Sequence, residues 1–362
     1  MANKKWIDAG PVDNFKPDTV SEVLVGTKKV AVSNRGGKFG AVLGVCTHAG
    51  GPLGKGKLAE DYIVCPWHYW KFHRITGKAQ PGYEDAVPQF ETKVEGGRLW
   101  ISDTPVTRGH KKVHPPHSLA RPVDRAEGPI RLAGISTTAM DASEPRYSTS
   151  EALLETALEH AARELECETR LIKLNELQFR NCEGFYSKAA RACTWPCSIT
   201  QMDPKDELTE VYETFVHWAD AVIVSTPIRW GQASALYYKM AERLNCVQNQ
   251  VTINDRVLIQ NKIASFIITG GQDNIQAVAG QLLTFFAELG FRFPQFPFIA
   301  HSRGWSAEDM EDNIRYVQDS EELRSGAKAL AGRTVAMSKD LLQSKGACAG
   351  RTERGGRKAQ PL

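Results

Sequence analysis

Four residues constrain this chain more than any others: Cys46 and His48 in VCTHAGGPLGKG, and Cys65 and His68 in YIVCPWHYW. Sixteen residues separate His48 from Cys65. A thiolate and an imidazole two or three residues apart have metal-ligand spacing, and here each pair follows a short strand and opens a loop. Two kinds of site use such a quartet. A Cys2His2 zinc site is one, but zinc fingers place both cysteines in one arm and both histidines in the other. Here each arm brings one of each, which suits a cluster where one iron takes both thiolates and its neighbour both imidazoles. Gly50, Gly51 and Gly54 let the backbone approach closely, and Pro66 stiffens the second loop.

Cys46-Thr-His48-Ala-Gly50-Gly51 and Cys65-Pro-Trp-His68 resemble the cluster-binding loops of Rieske proteins, over about residues 4–104. The resemblance implies a two-iron, two-sulfur cluster held by Cys46, His48, Cys65 and His68. Respiratory Rieske proteins carry an extra cysteine in each loop, joined as a disulfide. Gly51 and Trp67 stand at those places here. That is similar to the ferredoxin components of ring-hydroxylating dioxygenases and to small nitrite reductase subunits. A terminal oxygenase would also need a mononuclear iron on two histidines and a carboxylate. Beyond residue 117 only His160, His217 and His301 remain, widely scattered, so no such centre is expected.

The texture of the sequence divides at two places. Residues 1–104 read as all-β, with short β-branched and aromatic runs between turns such as Asn34–Gly37 and Gly96–Gly97. Residues 105–128, with Pro105, Pro115, Pro116 and Pro122 and no hydrophobic period, read as a linker. The linker's His110, His114 and His117 read as solvated side chains rather than ligands. Strand and helix then alternate through residues 129–343: strands at Ile130–Ser136, Arg170–Leu174, Ala221–Ser225, Ile263–Thr269 and Phe296–Ala300, and helices at Thr149–Leu165, Leu208–Ala219, Ala233–Cys246 and Gln276–Leu289. Such alternation predicts a doubly wound parallel sheet covered on both faces. Residues 344–362, rich in Gly and Arg, read as a disordered tail.

In such a sheet, ligands sit at the carboxyl ends of the strands. Three loops fall there: Ser136-Thr137-Thr138 continuing to Ser148-Thr149-Ser150, then Thr226-Pro227-Ile228-Arg229-Trp230-Gly231, then Gly270-Gly271. Hydroxyls at a helix start can take a phosphate without lysine. Neither a Gly-x-Gly-x-x-Gly turn nor a Walker lysine motif is present. Together the loops resemble those of the flavodoxin-like NAD(P)H-dependent FMN reductases, over about residues 129–320. The resemblance implies strand order 2-1-3-4-5 and bound FMN. Ser136, Ser148 and Ser150 would take the phosphate; Thr226, Pro227, Ile228, Arg229, Trp230 and Gly231 would line ribityl and ring; Gly270 and Gly271 would flank the ring. Arg229 stands where many relatives have Tyr.

Cys182, Cys193 and Cys197 follow the second strand of this half, and the segment reads as a flap over the flavin. Cys193 and Cys197 are candidates for a reversible redox pair that nothing in the sequence itself shows, and Cys246 falls on an apolar helix face. A net charge of +3 gives no reason to expect nucleic acid or an anionic membrane as partner. The opening MANKKWIDAG has no apolar signal core, and no run of about eighteen apolar residues occurs. A cytoplasmic protein is expected, and the flavin-domain relatives imply a homo-oligomer. The joint expectation is an oxidoreductase: NADH or NADPH reduces FMN, and electrons pass singly between FMN and the cluster to a quinone, nitro compound, flavin or protein. The alternatives are a component feeding a partner oxygenase, or a redox sensor. No side chain needs to act as a catalytic acid or base in the hydride step.

Overall fold

The computed structural model describes residues 4–112, 117–141, 143–270, 274–303 and 306–344. Gly271, His114 and the tail from residue 345 fall outside them. The chain forms two compact units: Met1–Pro115 with Gly184–Cys193, and Pro116–Glu183 with Thr194–Leu362.

Among the described residues, the first unit is built of ten short strands. They are β1 (Trp6–Pro11), β2 (Thr19–Val25), β3 (Lys28–Arg35), β4 (Lys38–Leu43), β5 (Lys57–Ala59), β6 (Tyr62–Val64), β7 (Lys71–His73), β8 (Gln89–Phe90), β9 (Thr92–Glu95) and β10 (Arg98–Ser102). They make three antiparallel sheets, ordered β1-β10-β9, β2-β3-β4-β8 and β5-β6-β7. Asn34 to Gly37 turns β3 into β4, with Gly36 and Gly37 in the left-handed region that a tight hairpin needs. Two apolar clusters fill the unit. One joins Phe15, Val30, Val32, Phe90, Leu99 and Ile101. The other joins Val42, Leu53, Ile63, Phe72 and the sulfurs of Cys46 and Cys65. The first metal-type loop leaves β4, and the second is the turn between β6 and β7.

The second unit holds a five-stranded parallel sheet: β11 (Arg131–Ser136), β12 (Glu168–Lys173), β13 (Ala221–Pro227), β14 (Ile263–Gly270) and β15 (Phe298–Ser302). Its order is β12-β11-β13-β14-β15, the 2-1-3-4-5 arrangement expected from the sequence. Every residue of β13 and β14 is buried, which is why those strands read as unbroken apolar runs rather than alternating ones. Helix α1 (Thr149–Glu164) packs with two later helices, α2 (Ala307–Asp319) and α3 (Glu321–Gln343), through Leu154, Leu158, Val317, Leu330 and Val335. The sequence reading did not single out α2 and α3. Phe286 of the helix Ile275–Leu289 packs in an aromatic cluster with Phe215, Phe266 and Phe291.

Two buried polar groups anchor this unit. Arg243 is fully buried and gives hydrogen bonds to both oxygens of Asp206, at 2.9 and 2.6 Å, and to Thr200 Oγ1. Burial works against the Asp206 charge, yet Arg243 and Thr200 hold its carboxyl below the usual range. Beside them, a hydrogen bond from Cys246 pulls the Cys197 thiol down to about 5 against the cost of burial, with Arg243 and the N–H groups of Ile199 and Thr200 adding to it. Cys197 is thus hydrogen-bonded to Cys246.

Arg243→Met should cost about 3–5 kcal/mol, because it strands the Asp206 carboxylate without its counter-charge; chemical denaturation checks this. His217 is buried, and burial depresses its pKa, although the carbonyl of Leu119 at 3.1 Å opposes this. The unfolded chain therefore binds the proton more readily. Stability should rise with pH from the depressed folded value towards 6.5 and stay flat above it, and it should be lost as pH falls through that window. His217→Gln should flatten the slope in urea titrations run across pH.

Candidate functional site

The two cysteine loops have the same backbone wiring. In the first, the N–H of Cys46 donates to the carbonyl of Gly51 (2.9 Å), and the N–H of Gly50 donates back to the carbonyl of Cys46 (2.9 Å). In the second, Cys65 donates to Trp70 (2.7 Å) and Tyr69 donates to Cys65 (3.1 Å). The fourth residue after each cysteine is left-handed: Gly50 at φ 80° and Tyr69 at φ 61°. Each reversal turns two backbone N–H groups onto a sulfur. Those of His48 and Ala49 face Cys46, and those of Trp67 and His68 face Cys65. The twin wiring explains how Cys-x-His and Cys-x-x-His build matching halves.

The sulfurs and the rings meet in separate pairs. Cys46 and Cys65 are buried and hydrogen-bonded to each other. That bond, with burial, raises the Cys46 thiol; it lowers Cys65 to about 7, helped by the N–H groups of Trp67 and His68. The rings of His48 and His68 lie edge to face with centroids 4.7 Å apart. Trp70 stacks on His48 at 5.0 Å, nearly parallel. The carbonyl of Ala192 lies 2.6 Å from His68 Nε2. A carbonyl only accepts, so Nε2 carries the proton and Nδ1 is left with the lone pair a metal needs. Among the described residues, no three His, Cys, Asp or Glu side chains gather round one point that would hold a single ion. Paired sulfurs and paired imidazoles with N–H groups on the sulfurs fit a two-iron cluster rather than a mononuclear zinc. Gly51 belongs to the fit, since a Cβ there would stand 2.7 Å from the Cys65 sulfur.

Gly184–Cys193 completes this unit. Phe185 is buried with its ring 5.0 Å from that of His68, perpendicular to it. Lys188 Nζ donates to the Tyr69 hydroxyl (2.8 Å) and to the Trp67 carbonyl (3.4 Å). Part of the stretch expected to cover a flavin packs on a cluster loop. A sequence reading misses it because the packing partners lie about 120 positions apart, as the 124 between His68 and Ala192 shows.

In the second unit the expected loops do meet at the carboxyl ends of the strands. Ser136 ends β11 and pairs in register with Ser225. Ser148 caps α1, accepting from the N–H of Glu151, and its hydroxyl lies 2.8 Å from Thr138 and 3.3 Å from Ser150. Ser136 is buried, and its hydroxyl donates to Glu151 (2.5 Å), which is also held by Lys173 (2.8 Å). Thr226 is buried and accepts from the N–H of Ser234, whose hydroxyl donates to Thr137, so the first two loops are tied together. Pro227 pairs in register with Thr269, and Ile228 donates to the carbonyl of Thr269. Gly270 lies against Ile228, where a Cβ would come within 2.7 Å. Arg229 and Gln232 exchange two backbone hydrogen bonds around Trp230 and Gly231, both with positive φ. This is a type I′ reversal, and it leaves the Trp230 side chain 90 % exposed rather than packed on the sheet.

Residues 5–91 match the Rieske 2Fe-2S domain family, and residues 137–305 match the NADPH-dependent FMN reductase family. The ferredoxin component of the alkene monooxygenase system of Xanthobacter autotrophicus is 30 % identical over 105 residues, 29 % of this chain and 86 % of that protein. The oxygenase component of 3-ketosteroid-9-alpha-monooxygenase from Mycolicibacterium smegmatis is 33 % identical over 105 residues, covering 26 % of this chain but only 27 % of that protein. A solved structure of RosB with a bound 8-demethyl-8-formylriboflavin-5'-phosphate intermediate covers 59 % of this chain and 81 % of its own, at 16 % identity and a TM-score of 0.46. Among the described residues no helix is long and apolar enough to cross a membrane. The chain belongs to the Rieske 2Fe-2S family through its first unit, carries an NADPH-dependent FMN reductase domain in its second, and is an iron–sulfur flavin electron-transfer oxidoreductase using a 2Fe-2S cluster, FMN and NAD(P)H.

Proposed function

We propose that the chain is an NAD(P)H-dependent oxidoreductase in which the strand ends of the second unit hold FMN and the twin loops of the first hold the cluster, with residues 105–128 as the linker between domains of residues 1–104 and 129–343. FMN supplies hydride acceptance in pairs and electron release one at a time, which is the chemistry a one-electron cluster needs beside it. The observation that carries this reading is the presence, on one chain, of paired thiols and paired imidazoles together with a flavodoxin-like strand end rich in buried hydroxyls. Cys46 and Cys65 bind one iron, and His48 and His68 bind the other through their unprotonated nitrogens. Ser148 and Ser150, with the first N–H groups of α1, take the FMN phosphate. Ser136 lies beneath them; because it is bound to Glu151, it positions that helix start. Thr226, Pro227, Ile228, Arg229 and Gly231 line the ribityl chain and the ring, with Gly270 and Gly271 at the ring's far edge. Trp230, standing free at its turn, covers the ring face. The terminal acceptor is a small oxidant, a quinone, nitro compound or free flavin, or a protein; the enzyme acts in the cytoplasm as a homo-oligomer.

Cys65→Ser should abolish the cluster's visible absorbance and its EPR signal, while FMN stays bound and is still bleached by NADPH under anaerobic conditions. In the unaltered chain, anaerobic NADPH should bleach the flavin first and bring up the reduced-cluster EPR signal afterwards. A cluster that stays oxidised while the flavin is reduced would exclude the relay. Ser148→Ala should weaken FMN binding about tenfold or more, as loss of one hydrogen bond to a charged group predicts, and equilibrium dialysis of the apoprotein measures this.

A further inference from the structure

Ten residues of this chain, Gly184–Cys193, are neither cluster ligands nor part of the flavin-binding strand ends, yet they close over the imidazole side of the cluster loops. They reach it by two handles of opposite electrical sense. The first is apolar and electron-rich: Phe185 stands against the His68 ring, and the Ala192 carbonyl accepts a hydrogen bond from His68 Nε2–H at 2.6 Å. The second is cationic: Lys188 Nζ is fixed to the Tyr69 hydroxyl at 2.8 Å and to the Trp67 carbonyl at 3.4 Å, over the Tyr69 ring at 4.2 Å. Trp67 and Tyr69 flank His68 in sequence, so both handles act on one ligand loop.

Resting on the proposed cluster site, we infer that Gly184–Cys193 is a strap that sets the cluster's reduction potential, with Phe185 and Ala192 pushing it down and Lys188 pushing it up. A ligand imidazole whose N–H is taken by a carbonyl donates more strongly to iron and favours the oxidised state. Excluding water from the ring edge has the same sign, because reduction adds a negative charge that water would solvate. An ammonium fixed on the loop attracts that added charge and favours the reduced state; it is exposed, so water screens it and its effect is the smaller. The strap is thus a positioning element, and its settings are separable.

The test uses the full chain loaded with cluster and FMN, with the cluster poised against redox dyes and followed by EPR. Phe185→Ala opens the His68 edge and should raise the ratio of reduced to oxidised cluster at a fixed poise by about tenfold. Lys188→Met should lower that ratio by about threefold, with Lys188→Arg restoring it. A strap that merely braces the fold would shift both variants in the same direction or neither, and either result overturns the inference. Lys188 and Tyr69 are exposed, so if Phe185→Ala loses its cluster, Lys188→Met and Tyr69→Phe still decide the matter: no fall in the ratio for either rejects the role of the cationic handle, and deuterium exchange at the ligand imidazole in Phe185→Leu, read by pulsed EPR, decides the other, with exchange as slow as in the unaltered chain rejecting it. An unaltered chain lacking acid-labile sulfide would instead remove the cluster assignment itself, a result distinct from any of these.

Discussion

The first unit depends on how two buried sulfurs are kept side by side. Sulfur atoms at 1–2 % exposure in an apolar cluster would be costly as thiolates if nothing answered their charge. The answer comes from the backbone. Each loop reverses over the five residues after its cysteine, and that reversal leaves two N–H groups without a carbonyl and turns them onto the sulfur. Everything around the loops serves the reversal. The short strands β4, β6 and β7 fix its ends, the left-handed Gly50 and Tyr69 close it, and the missing side chain of Gly51 makes room for the facing sulfur. The histidine at the second or third position is then carried to the opposite side, where the two rings meet each other rather than the sulfurs.

This shows which parts of the molecule were legible beforehand. The ligand quartet was readable because loop wiring of this kind involves only residues within five positions of each cysteine. The parallel sheet was readable because a strand buried on both faces, such as β14, must be apolar throughout. Its order followed from the resemblance of the strand-end loops, and the register of Ser136 with Ser225 and of Pro227 with Thr269 agrees with it. What escaped was whatever depended on contacts across long stretches of chain. Phe185, Lys188 and Ala192 look like ordinary residues of a loop with little pattern, and only the fold brings them to His68 and Tyr69. The hydrogen bond between Cys197 and Cys246, 49 positions apart, was equally out of reach. Helices α2 and α3 were passed over because their apolar positions are spread thinly among charges; their burial comes from packing against α1.

The second unit answers charge in a related way with different material. At the ends of β11 and β13 and the helix starts beside them the side chains are hydroxyls, joined in two hydrogen-bonded sets: Thr138, Ser148 and Ser150, and Thr137, Thr226 and Ser234. Hydroxyls can donate or accept as required, so each set is satisfied by its own bonds, and under the proposed function their donors would turn to the FMN phosphate. The carboxylate of Glu151 is held beside them by Lys173 and by Ser136, which keeps its negative charge balanced within the protein.

On the proposed site assignments, the contrast between the two sites follows from the charge each would receive. A cluster with two thiolate and two neutral imidazole ligands has no net charge when oxidised and gains one negative charge on reduction, so an apolar wall with a few directed N–H groups is enough, and small changes at its edge act directly on the balance between the two states. A flavin phosphate carries its charge in every redox state, so the protein must offer donors throughout the cycle. The apolar packing of Leu53, Phe72 and Trp70 near the sulfurs and the dense hydroxyls at the strand ends are therefore two solutions to one electrostatic problem. On the proposed assignments, the surroundings of the first would tune a change of charge, and those of the second would hold a constant one.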